Sequence, residues 1–186
     1  STQTIKGTTY HHLTVAGGTA TLGATTTVNG NLTVSAGTLA LSSSSFSVPG
    51  TSSITGTLTD SSSSGVNTFT GAVTLNSGSN WSSSGNDGFT FRGGLTVNST
   101  STFSSGSGIY TFDTNAQTIA GTQAYTITNL TNNVTTGNGL TFTTNNPTVT
   151  TLTQGTSAVL TFSSTVPTIT TLTATASPNT VQYTSG

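Results

Sequence analysis

Five side chains carry formal charge, Lys6, Arg92, Asp60, Asp87 and Asp113; there is no Glu and no Cys, and the two histidines sit side by side at 11 and 12. Acid–base attack on a glycosidic bond needs two carboxyls flanking that bond. The three aspartates are almost evenly spaced along the chain, so a fold of stacked coils could bring neighbours together. Taken singly, each reads as an exposed turn residue. Adjacent residues on a strand point to opposite faces, so His11 and His12 are expected to split, one inward or into a corner and one outward, and not to chelate one metal. Ser is abundant, but no G-x-S-x-G elbow is present, and Gly17-Gly18 and Gly93-Gly94 lack the following Asp of calcium-binding corners. The expectation is a chain with no catalytic residues, no metal and no cofactor.

The elements that would carry these residues are strands. No i, i+3, i+4 apolar pattern is sustained, and the usual helix formers are nearly missing. Short apolar-x-apolar pairs recur instead, among them Leu13/Val15, Leu32/Val34, Phe46/Val48, Val73/Leu75, Phe89/Phe91, Tyr110/Phe112, Leu140/Phe142 and Leu160/Phe162. Each puts two apolar side chains on one face of a strand with Thr or a similar residue on the other. The spacing is regular where it can be measured. Pro147-Thr148-Val149-Thr150-Thr151-Leu152-Thr153 returns as Pro167-Thr168-Ile169-Thr170-Thr171-Leu172-Thr173, and Leu13-Thr14-Val15 returns as Leu32-Thr33-Val34. A recurrence at about 20 residues means a solenoid, and an antiparallel sandwich has no reason to keep such a period. The reading is all-β: a right-handed parallel β-helix, one domain over residues 1–186, of about nine coils with ~20 residues each and two or three strands per coil. Gly17-Gly18, Asn29-Gly30, Gly93-Gly94 and Asn138-Gly139 supply corners. Between about 60 and 110 the pattern roughens, and Ser61–Ser64 and 76–86 are expected to form a protruding loop or irregular corner. The sole Trp, Trp81, falls there, as a packing anchor or, less simply, a sugar platform.

Composition removes several function classes. Charged residues make up 3% of the chain, against roughly 25% in ordinary domains. Two cations cannot form the basic stripe that nucleic acid requires, nor an electrostatic hold on an anionic membrane surface, and no apolar run reaches the ~18 residues of a spanning helix. The absence of Met, even at position 1, suggests a processed chain or a segment of something longer. Thr-x-Thr motifs at 19/21, 25/27, 148/150, 151/153, 168/170 and 171/173 would rank hydroxyls on stacked coils. Thr148, Thr150, Thr168 and Thr170 are therefore candidates for an outward Thr-rich face able to bind ice or carbohydrate.

A longer recurrence overlies the coil period. Gln3-Thr4-Ile5-Lys6-Gly7-Thr8 is echoed by Gln117-Thr118-Ile119-Ala120-Gly121-Thr122, each followed by a Tyr, Tyr10 and Tyr125. The end of the chain, Val181-Gln182-Tyr183-Thr184-Ser185-Gly186, read into its beginning reproduces the order found around 110–121. Gln3, Ile5, Tyr10, Val181 and Tyr183 are thus expected at assembly edges through which units join end to end.

The run Thr4-Ile5-Lys6-Gly7-Thr8-Thr9-Tyr10-His11-His12-Leu13-Thr14-Val15, with Thr26-Thr27-Val28-Asn29-Gly30-Asn31-Leu32-Thr33-Val34 after it, resembles the repeats of very large bacterial surface proteins of the filamentous-haemagglutinin-like and autotransporter-passenger-like adhesin type. The resemblance covers nearly the whole chain in style and rests on low-complexity motifs. It implies export, an extracellular or cell-surface location and a β-helical rod, and brings no catalytic residue. The expected role is a structural, adhesive stalk or fibre whose partners are copies of itself and cell-surface glycans.

Overall fold

The computed structural model describes residues 1–144, 146–163 and 166–184. Among them the chain is all strand and corner, with no helix, wound into about nine coils of about 21 residues: a β-solenoid. Every strand pairing is parallel, and each coil contributes to three faces.

Face 1 runs from β1 (Thr2–Ile5) through the second halves of β3 (Leu13–Leu22) and β5 (Leu32–Leu41) to β8 (Thr57–Asp60), β11 (Asn80–Ser83) and β14 (Thr102–Ser104). It ends on the first halves of β17 (Tyr125–Asn133), β19 (Pro147–Gln154) and β21 (Thr168–Thr173). Face 2 stacks β2 (Thr9–Tyr10), β4 (Thr26–Val28), β6 (Phe46–Val48), β9 (Val66–Phe69), β12 (Gly88–Phe91) and β15 (Ile109–Asp113), then the second halves of β17, β19 and β21. Face 3 begins on the first halves of β3 and β5. It continues through β7 (Ser52–Ile54), β10 (Val73–Leu75), β13 (Leu95–Val97), β16 (Gln117–Gly121), β18 (Leu140–Phe142), β20 (Val159–Ser163) and β22 (Thr180–Thr184).

Alternation along each short strand sends two side chains inward, and register stacks them into columns. On face 2 one column reads Val28, Val48, Phe69, Phe91, Phe112, fully buried throughout. No coil could bury these residues alone; each is covered only by its neighbours above and below, which is why the fold requires repetition. The rise from Val to Phe along the column has a geometric consequence, a coil that lengthens toward the middle of the rod. Thr2 stacks on Thr19 in the first turn, whereas Val73 stacks on Leu95 and Leu95 on Ile119 further along, each turn taking more chain than the first. The middle coils hold Phe69, Trp81, Phe89, Phe91, Phe103, Tyr110 and Phe112, whose rings pack with centroids 5.1 to 6.2 Å apart. A wider core needs a longer perimeter, so the shorter spacing read near the two ends does not extend through the middle.

The expected loop at 76–86 is accordingly replaced in part by strand β11, and Trp81 on it is completely buried against Phe89 and Phe103 rather than displayed. Ser61–Ser64 does form a corner. Of the glycine corners, Gly18, Gly94 and Gly139 adopt positive φ, where a side chain is strained.

Candidate functional site

Two of the three aspartates meet in the core. Asp60 closes β8 in an inward column of face 1, stacked between Leu41 and Ser83, and Asp87 precedes β12 at the corner between faces 1 and 2. Each is only 1% exposed, which corrects the expectation of exposed turn residues. Ser62 joins them: its backbone N–H donates to Asp60 Oδ1 at 3.2 Å, and its hydroxyl donates to Asp87 Oδ2 at 2.5 Å. The Ser83 hydroxyl donates to Asp60 Oδ2 at 3.1 Å, and the Gly65 amide to Asp87 Oδ1 at 2.8 Å. A Cβ at Gly65 would overlap Asp87 Oδ2, so a larger residue there would have to displace that carboxyl. Burial pushes the Asp60 carboxyl up to about 6; the nearby Asp87 charge adds to the rise, while the Ser62 and Ser83 donors oppose it. Beyond Ser83 lies Tyr110, whose hydroxyl accepts the Trp81 indole N–H at 2.9 Å. Burial raises the Tyr110 phenol well above its usual range.

A carboxyl pair sharing a proton is an acid–base unit in principle. Here it lies inside the coil stack rather than in a groove, so the geometry needed for attack on a glycan is met for proximity and unmet for access. Asp113 lies apart from the pair. It receives the Arg92 guanidinium one coil away, Nε to Oδ1 at 2.8 Å and Nη2 to Oδ2 at 3.3 Å, the sole ion pair among the described residues. No cluster of three potential metal ligands occurs among the described residues.

The histidines depart from the expected split. Both are exposed in the corner before β3, with ring centroids 4.3 Å apart, and His12 Nδ1 accepts the Asn31 amide at 2.8 Å. The corner, not a strand, sets their direction, so the alternation rule does not apply to them.

The five proposed edge residues all lie on the first and last described coils, at inward-column positions. Gln3 stacks on Ala20, Ile5 on Leu22, Tyr10 on Val28, Val181 on Leu160 and Tyr183 on Phe162. With a covering coil on one side only, Ile5, Tyr10 and Val181 are half-buried, Gln3 is exposed and Tyr183 is 71% exposed. Leu172 belongs to the same set, 44% exposed above a fully buried Leu152. Sequence reading missed it because its repeat partner at 152 looks identical and differs only in having a coil on both sides.

Thr148 and Thr168 are register partners, and Thr150 and Thr170 project beside them, so the four form one patch on face 1. The column through Thr148 runs back through Thr126, Ser104, Ser82, Thr59, Ala40 and Thr21 to Thr4. Face 2 carries an equally long column, Thr9, Thr27, Ser47, Thr68, Thr90, Thr111, Thr131, Thr153 and Thr173. Face 3 has Thr14, Thr33, Ser53, Thr74 and Thr96. Hydroxyl ranks therefore clothe all three faces. Compared with known proteins, the chain matches no family model, no curated protein and no solved structure.

Proposed function

We propose that this chain is a structural unit of an extracellular fibre or surface stalk, stacking end to end through its first and last coils. The observation that carries the reading is the match in register between the first and last described coils. Among the described residues β1 and β2 pair with β3 and β4, and β21 and β22 with β19 and β20; a further coil on either end would cover the half-buried apolar columns there. Placed head to tail in the register of the rod, Ile169 falls over Ile5, Tyr183 over Leu13 and Thr168 over Thr4, so the apolar columns and the hydroxyl ranks both continue across the joint. Lys6 is the one charged side chain on either end coil, so little repulsion opposes the contact.

Ice or carbohydrate binding by one Thr face draws less support. That reading needs one face to differ from the others, and the ranks lie on all three. Catalysis is not favoured by a carboxyl pair enclosed in the core.

The test is electron microscopy and light scattering of the chain over a concentration series, with Ile5→Lys and Tyr183→Lys as edge variants. Rods that lengthen with concentration and shorten in both variants are expected. Monodisperse 18.5 kDa particles at every concentration would sink the proposal.

A further inference from the structure

In a solenoid with few charges and a largely apolar core, the least expected feature is a pair of carboxyls inside. The geometry points to a pH-set latch: Asp60 and Asp87 close the corner between the coil of β8 and the coil of β11 while they hold a proton between them, and its loss loosens the middle of the rod.

Both carboxyls are enclosed, and Ser62 bonds to one through its amide and to the other through its hydroxyl. Every donor reaching the pair is neutral: the Ser62 and Gly65 amides and the Ser62 and Ser83 hydroxyls. The pair is packed against β5, β9, β11, β12 and β15 and the corners that precede them. Among the described residues, the titratable or charged groups these elements bring are Tyr110 on β15, with Arg92 and Asp113 at the far ends of β12 and β15. Tyr110 stays protonated because it is buried, and Arg92 and Asp113 neutralise each other. No cation is left to balance a second negative charge, and two adjacent buried carboxylates without one cannot both ionise cheaply.

The sign follows from linkage. Asp60 is raised from 3.8 to about 6 in the fold. Between those values the folded chain binds more protons than the unfolded one, so the Asp60 contribution to stability is full below about 3.8 and is lost progressively as pH rises to and through about 6. Most carboxylates in folds act in the opposite direction.

The chain suits a direct test, having three Asp, no Glu and one Trp. With 13C at the Asp carboxyls, the spectrum of the intact chain contains three side-chain resonances to follow with pH. One is expected to titrate near 6, with Trp81 fluorescence changing at the same midpoint through Tyr110. The melting temperature is expected to drop by roughly 3–5 °C from pH 5 to pH 8. Asp60→Asn should abolish that drop, whereas replacing His11 and His12 together by Gln should leave it intact. Three Asp resonances all titrating below about 4.5 would overturn the proposal. So would a drop that vanishes with the histidines. If Asp60→Asn fails to fold, the carboxyl titration of the unaltered chain still decides.

Discussion

The Trp81 indole donates its N–H to the Tyr110 hydroxyl at 2.9 Å, linking face 1 of one coil to face 2 of the next through the core. Both residues are completely buried, so the bond satisfies the one polar atom that each ring brings inside. Trp81→Phe keeps an aromatic in the stack and leaves the Tyr110 hydroxyl short of a donor. A loss of about 2–4 kcal/mol in denaturant unfolding is expected, combining the smaller ring and the lost bond. A double-mutant cycle with Tyr110→Phe should show coupling; strict additivity would mean that the bond contributes nothing.

Buried amides offer a contrast in sign. Gln117 donates to the Phe91 and Asp113 carbonyls and accepts the Gly94 amide, so it closes a corner. Asn67, fully enclosed in the column between Phe46 and Phe89, has no protein partner for either amide atom. Gln117→Leu should cost about 2–4 kcal/mol by stranding three backbone groups. Asn67→Leu should be neutral or stabilising by about 1 kcal/mol, since it replaces an unpaired polar group with an apolar one of the same branched outline, the gain partly offset by the larger methyl groups. Equal destabilisation by both would contradict the hydrogen-bond assignment.

The Arg92–Asp113 pair is partly exposed, 38% and 24%. Solvent screening limits such pairs to roughly 0–1 kcal/mol. Arg92→Gln should lower the melting temperature only slightly, and the difference from the parent should shrink in about 1 M salt. A large, salt-independent loss would show that the arginine acts through packing instead.

Backbone proximity predicts where the rod tolerates no Cβ. Gly121 has φ +115 and lies against the Val97 backbone, whereas Gly17 faces open space. Gly121→Ala is expected to destabilise by more than about 2 kcal/mol, through strain and displacement of the neighbouring strand. Gly17→Ala should change stability by less than about 0.5 kcal/mol. Thermal melts of the two variants side by side check both.

The repeating solenoid is legible in the chain before any folding is considered. Apolar pairs such as Leu13/Val15 and Leu140/Phe142 return once per coil and can be buried only by stacking, and this local pattern survives translation into structure almost unchanged. The near absence of charge is equally plain, and with it the rows of hydroxyls on the outside. How the perimeter grows around Trp81 and the Phe column emerges only in three dimensions, because coil length answers to core volume and not to any local signal. The even spacing of the aspartates left a meeting of Asp60 and Asp87 open, but their burial in the core was not legible. The register partner of Asp60 is Ser83, and Asp87 lies beyond it, past the end of β11, so the two carboxyls touch only across a corner. Direction at a corner is set by a few backbone angles and by Ser62, not by strand alternation. That is why strand alternation, which holds along β8 and β12, misjudged the aspartates and the histidines at the corners.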